Sequence, residues 1–239
     1  MNATALCESV SAATHGMALI AAIPGTLWLR KRCESGLRRP VLVYGLSLIA
    51  CFGASTICHA FAAMGIESRI MIVLDHMAIY ALIAGTYTPI AAGLLPVRNR
   101  LSTLRVVWVA AAAGMLLNAW RGPLPSWLET SFYLAMGWGG LWCYFGMCPN
   151  LSHKQLALVP VGGLIYSIGA IFHVTRQPAL WPGIFEAHEL FHVFVVAGAA
   201  THYVFLTVRL SDVVPIANVP SRPRLWAYPR RVPPLNSRS

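Results

Sequence analysis

The chain is poor in charge. Only 11% of its 239 residues are Asp, Glu, Lys or Arg, 18 basic and 8 acidic, under half the roughly 25% usual in soluble domains. A soluble enzyme of this length needs a charged shell, and this chain cannot build one. Its 57% apolar and aromatic content equally excludes a disordered chain. Paired Cys-x-x-Cys motifs are missing. Of the six cysteines, at positions 7, 33, 51, 58, 143 and 148, three (51, 58 and 143) fall within apolar runs, where a free thiol behaves as a small apolar group. No disulfide framework is implied. Long alternating strand patterns are missing too. So is a basic stretch ahead of the first apolar run, which is followed by Arg30, Lys31, Arg32, Arg38 and Arg39. That order is the reverse of a secretory signal. The net charge of +10 would suggest a nucleic-acid partner in a soluble protein, but the hydropathy takes precedence and no nucleic-acid role is expected.

What is present is a series of apolar runs long enough to cross a bilayer. Seven can be drawn: Ser11–Leu29, Val41–Ala63, Ile70–Leu95, Leu104–Ala119, Ser126–Met147, Leu156–His173 and Phe185–Val208. Between them lie turn-like segments at Arg30–Pro40, Gly65–Arg69, Pro96–Arg100, Trp120–Pro125, Pro149–Lys154 and Gln177–Gly183. Lipid offers backbone groups no partner but one another, so these runs are expected to be helices. The predicted fold is an all-α integral membrane bundle of seven transmembrane helices, residues 1–210. Residues 211–239, with six prolines and five arginines, read as a disordered cytoplasmic tail. Its basic residues could lie on an anionic leaflet or be a plain stop-transfer flank. With the N-terminus outside, 15 Lys and Arg fall on the cytoplasmic side and Arg69, Arg121 and Arg176 outside. The positive-inside rule therefore predicts an inner or plasma-membrane protein with its N-terminus out and its C-terminus in.

In so apolar a chain the ionisable residues inside the runs become readable. His59 lies near the end of the second run, Asp75 near the start of the third, and His188 and His192 near the start of the seventh. At 1.5 Å per residue all four fall roughly 5–11 Å below one membrane face, the outer one by the charge count. His188 and His192, one helical turn apart, share a face, and His59 could add a third nitrogen. Three neutral imidazoles with a fourth position left for water form a catalytic type of zinc site. Asp75 could then serve as base, and Ser55, one turn from His59, as a supporting hydrogen-bonding group. Alternatives stand beside this reading. A lone His-x-x-x-His is also what two interface histidines look like, and Asp75 with His76 could be a plain ion pair. His15, His76 and His173 lie near the same mouth and are expected at the interface. Glu186 and Glu189 are expected to face the headgroups, Glu129 to open the fifth helix at its positive dipole end, His153 to lie in a cytoplasmic loop, and His202 to lie too far along its helix to join the same ion.

Several stretches carry a family resemblance: Thr14-His15-Gly16, Ser55-Thr56-Ile57-Cys58-His59, Asp75-His76-Met77-Ala78-Ile79-Tyr80, Ala84-Gly85-Thr86-Tyr87-Thr88-Pro89, Tyr166-Ser167-Ile168-Gly169-Ala170, and His188-Glu189-Leu190-Phe191-His192 with Gly198 and His202. Together they span residues from about 12 to 210, and the chain resembles the hemolysin III proteins of the progestin and adiponectin receptor (PAQR) superfamily, in particular a prokaryotic-type member. The resemblance implies seven helices, a zinc ion held by His59, His188 and His192, Asp75 at the zinc-bound water and Ser55 close by. The superfamily includes alkaline ceramidases, which cleave a lipid amide with a similar Ser/Asp/His set. The charge-predicted orientation is the reverse of that of the adiponectin receptors, which argues against receptor-like signalling.

Three functions follow as expectations. One is a zinc-dependent hydrolase of lipid amides or esters, acting in membrane lipid homeostasis on a membrane-lipid partner. A second is a non-catalytic membrane sensor in which zinc clamps helices together. The third is a hemolysin-like cytolysin, disfavoured because a secreted pore former should first be soluble.

Overall fold

The computed structural model describes residues 3–211; the Pro/Arg-rich tail, apart from Ser211, lies outside the described residues. Those residues fold into α-helices, with no strand among them beyond an isolated bridge between Trp181 and Phe185. The helices are α1 (Ala3–Arg32), α2 (Arg38–Ala63), α3 (Arg69–Leu94), α4 (Val97–Arg121), α5 (Ser126–Trp138), α6 (Leu141–Met147), α7 (His153–Leu156), α8 (Leu158–Thr175) and α9 (Ala187–Leu210). The 26 residues of α2 and of α3 give each a length of about 39 Å, more than the roughly 30 Å of a hydrocarbon core. By length and composition, six helical segments can cross a membrane: α1, α2, α3, α4, α7 with α8, and α9.

The fifth expected span is a corrected case. Ser126–Met147 is not one helix but two, α5 and α6, interrupted at Gly139 and Gly140. A β-carbon on Gly140 would sit 2.9 Å from the Gly137 carbonyl oxygen and 3.1 Å from the Tyr87 hydroxyl. The Tyr87 hydroxyl donates to the Met136 carbonyl at 2.5 Å and lies 3.1 Å from that of Gly137. A side chain from α3 thus satisfies carbonyls at the interruption, as lipid-depth backbone requires.

Other boundaries also move. The first helix begins at Ala3, not Ser11, and α4 runs from Val97 to Arg121, not from Leu104 to Ala119. The expected turn at Pro96–Arg100 contracts to Leu95 and Pro96, since Asn99 N–H already bonds to the Pro96 carbonyl and the Arg100 guanidinium to that of Leu95. Hydropathy ends a run where polar side chains begin, but helix hydrogen bonding continues into the headgroup region.

The helices pack as a closed bundle, α1 on α2, α2 on α3, α3 on α4, α5 on α8, α8 on α9, and α9 back on α1. The Tyr203 hydroxyl of α9 donates to the Gly25 carbonyl of α1 at 2.8 Å across the closing contact. Small residues permit close approach, as in membrane helix pairs: Gly45 of α2 faces Thr26 of α1, and Gly85 of α3 faces Ser47 of α2. Large apolar side chains such as Ile20, Val106, Leu116 and Trp120 point outward and are exposed. In water such a surface would aggregate; in lipid it is the solvated face.

Candidate metal centre

The site is built where three helices begin or end at one face of the bundle. In α2, Ser55 and His59 stand one turn apart, both buried. Near the start of α3 stands Asp75, whose Oδ2 lies 4.0 Å from His59 Nε2. The start of α9 is set by a capping box between Glu186 and Glu189, in which Glu186 N–H donates to the Glu189 carboxylate at 2.9 Å; Gly183 N–H separately donates to the Glu186 carboxylate at 2.8 Å. That cap fixes the first turn of α9 and with it His188, then His192 one turn on. The rings of His59, His188 and His192 converge, with centroids 4.6–5.2 Å apart. One nitrogen from each lies within 4.8 Å of the others, so the triad could hold a metal ion.

The chemistry of the donor set supports this. His59 Nδ1 lies 2.6 Å from the Glu8 carboxylate. A carboxylate oxygen accepts, so Nδ1 carries the hydrogen and the lone pair is left on Nε2. His59 Nε2 and His192 Nδ1 are both buried without a hydrogen-bond partner. Orphaned buried nitrogens are costly, and a cation shared among the three rings removes that cost.

The structure brings His59, His188 and His192 into one cluster, and Asp75 and Ser55 line a cavity of about 120 Å³ beside it. Two expectations are corrected, for His15 and Glu189. His15 is not interfacial but buried, stacked on His192 with ring centroids 3.9 Å apart. Glu189 does not face headgroups; it is 3% exposed and accepts from Ser11 at 3.1 Å, joining α1 to α9. His76 Nδ1 lies 2.7 Å from the Glu129 carboxylate, which is itself buried. Glu8 was outside the expected first span, yet it holds His59. Its signal was readable: Glu8, Ser11 and His15 recur at i, i+3 and i+7, a polar stripe on one helix face. His173 approaches His188, the two Nδ1 atoms 3.4 Å apart. His202 lies elsewhere, its Nε2 3.1 Å from the Val159 carbonyl oxygen.

The polar cavity adjoins a larger one of about 150 Å³. Cys51, Ile79, Thr130, Tyr133, Phe191 and Val195 line both. The larger cavity runs past Leu82, Ile90, Leu134 and Met147 and is overwhelmingly apolar.

The profile of the family described as Haemolysin-III related matches residues 4–203. The chain belongs to the haemolysin III family. Hemolysin-3 homolog of Bacillus subtilis is 30% identical to it over 200 residues, 82% of this chain and 91% of the relative. Hemolysin-3 of Bacillus cereus is 32% identical over 199 residues, 81% and 87% of the two chains. Heptahelical transmembrane protein ADIPOR2 of rice is 30% identical over 192 residues, 73% and 83%, which links this haemolysin III protein to the PAQR superfamily. Family and apolar helices agree on an integral, multi-pass membrane protein.

Proposed function

We propose that this haemolysin III protein is a zinc-dependent hydrolase of lipid amide or ester bonds, acting in membrane lipid homeostasis. The observation that carries the reading is the junction of two cavities: a polar one holding Asp75 beside a three-histidine cluster, continuous in its lining with an apolar one suited to an acyl chain. His59, His188 and His192 would hold the zinc, which when bound polarises a carbonyl and acidifies a water to a pKa near 7. Asp75, side chain 14% exposed, takes the proton released by the attacking water and returns it to the leaving amine or alcohol. Ser55 stands in the same cavity to orient Asp75 or His59. Ile79, Leu82, Ile90 and Met147 exclude water around the chain of the lipid. The N-terminus is outside and the C-terminus cytoplasmic, so the site opens toward the outer face.

The test is lipid turnover by detergent-purified protein. Asp75→Ala should abolish turnover, by 10²-fold or more for a lost acid–base group, while zinc content stays at the wild-type level. Full activity in that variant would refute the mechanism. A second reading draws on the 4.0 Å between Asp75 and His59: Asp75 could close the site as a fourth ligand and make zinc a structural clamp. Loss of zinc from Asp75→Ala, with no turnover by the wild type, would favour that reading.

A further inference from the structure

Helix α5 carries a stripe that the metal centre does not account for. Ser126, Glu129, Thr130 and Tyr133 recur at i, i+3, i+4 and i+7, and all four line the polar cavity that also holds Asp75, His188 and His192. Glu129 is 3% exposed. Its Oε2 lies 2.7 Å from His76 Nδ1 in an ion-pair contact, and its Oε1 is buried without a hydrogen-bond partner. The neighbouring Tyr133 hydroxyl donates elsewhere, to the His76 carbonyl at 3.1 Å. A carboxylate that merely clamps α5 to α3 has no use for a second bare oxygen in a polar cavity, since an unmet buried acceptor is costly. A ligand that donates a hydrogen bond there removes the cost.

We infer that Glu129 reads the headgroup: its Oε1 accepts a hydrogen bond from a hydroxyl group close to the carbonyl of the bound lipid. The α5 stripe lines the same cavity as His188 and His192, and the class of ligand is narrowed to acyl amides or esters of amino alcohols or polyols with a free hydroxyl. The lipid identity of the ligand rests on the function proposed above; the hydroxyl preference rests on Glu129 and is read by binding, not turnover. A site built to bond a hydroxyl rejects the analogue lacking it, because the buried partner is left unpaired.

The test is equilibrium binding of N-oleoylethanolamine and of its O-methyl ether to the full-length, detergent-purified protein, with zinc content measured alongside. Wild type should prefer the free hydroxyl by about tenfold or more. Glu129→Met should bring the preference to within about twofold at unchanged zinc content. Glu129→Gln, which keeps an acceptor without the charge, should fall between the two and carries the comparison if the Met variant does not fold. Equal binding of both lipids by wild type, or a preference undiminished in both variants, would overturn the inference. Turnover without a hydroxyl preference sinks this inference alone; a preference without turnover sinks the hydrolase reading alone.

Discussion

At the scale of single residues, the centre depends on side chains that hold other side chains. Glu8 accepts from His59 at 2.6 Å, and so fixes which ring nitrogen is free. Removing such a supporting carboxylate typically costs 10–100-fold in metal affinity. Metal analysis of purified protein should find close to one zinc per chain in wild type and almost none in His188→Ala. Glu8→Gln should keep zinc at saturation but bind it about 10–100-fold more weakly in a chelator competition. Zinc in His188→Ala equal to wild type would remove the assigned site. The three ligands, Asp75 and Ser55 were legible because a charge-poor chain makes each buried ionisable group conspicuous. Glu8 was legible only through the stripe it forms with Ser11 and His15, because it precedes the apolar run that marks the first helix.

At the scale of elements, the interrupted α5–α6 segment is the instructive case. Apolar, aromatic and glycine residues run unbroken from Phe132 to Met147, so hydropathy alone draws one helix. The break depends on Gly139 and Gly140 meeting Tyr87 from another helix, a contact no local window contains. Tyr87→Phe deletes a buried hydrogen bond and should cost about 1 kcal/mol. Gly140→Val forces a side chain against Gly137 and Tyr87 and should cost more, about 1–3 kcal/mol. Thermal unfolding in detergent should therefore lower Tm modestly for the first and further for the second. The opposite order would mean that the glycines are not there to admit Tyr87. The early start of α1 and the long α4 have a related cause: helical bonding extends past the apolar core into the headgroups, where composition no longer reports it.

At the scale of the whole molecule, closure of α9 onto α1 brings the first and last helices side by side, and the site is assembled at one end of that contact. Ser11 and Glu189, 178 positions apart, share a hydrogen bond. Orientation in the membrane is likewise a global property, and the bias of 15 basic residues against 3 predicts it. Glu67→Cys, in the exposed α2–α3 turn, should react with a membrane-impermeant maleimide added to intact cells. Asn150→Cys, in the exposed α6–α7 turn, should react above the unsubstituted chain only after permeabilisation. The reverse pattern would place the metal centre on the cytoplasmic side. The sequence by itself determined the membrane class, the helical fold, the family and the layer in which the ionisable groups lie, because hydropathy and helical rise are local and additive. Only the tertiary structure decided that Glu8 holds His59, that His15 stacks on His192, that Glu129 faces the cavity and that two cavities share a wall. Those depend on which face each helix turns to its neighbours, and that is set by packing among residues far apart in the chain.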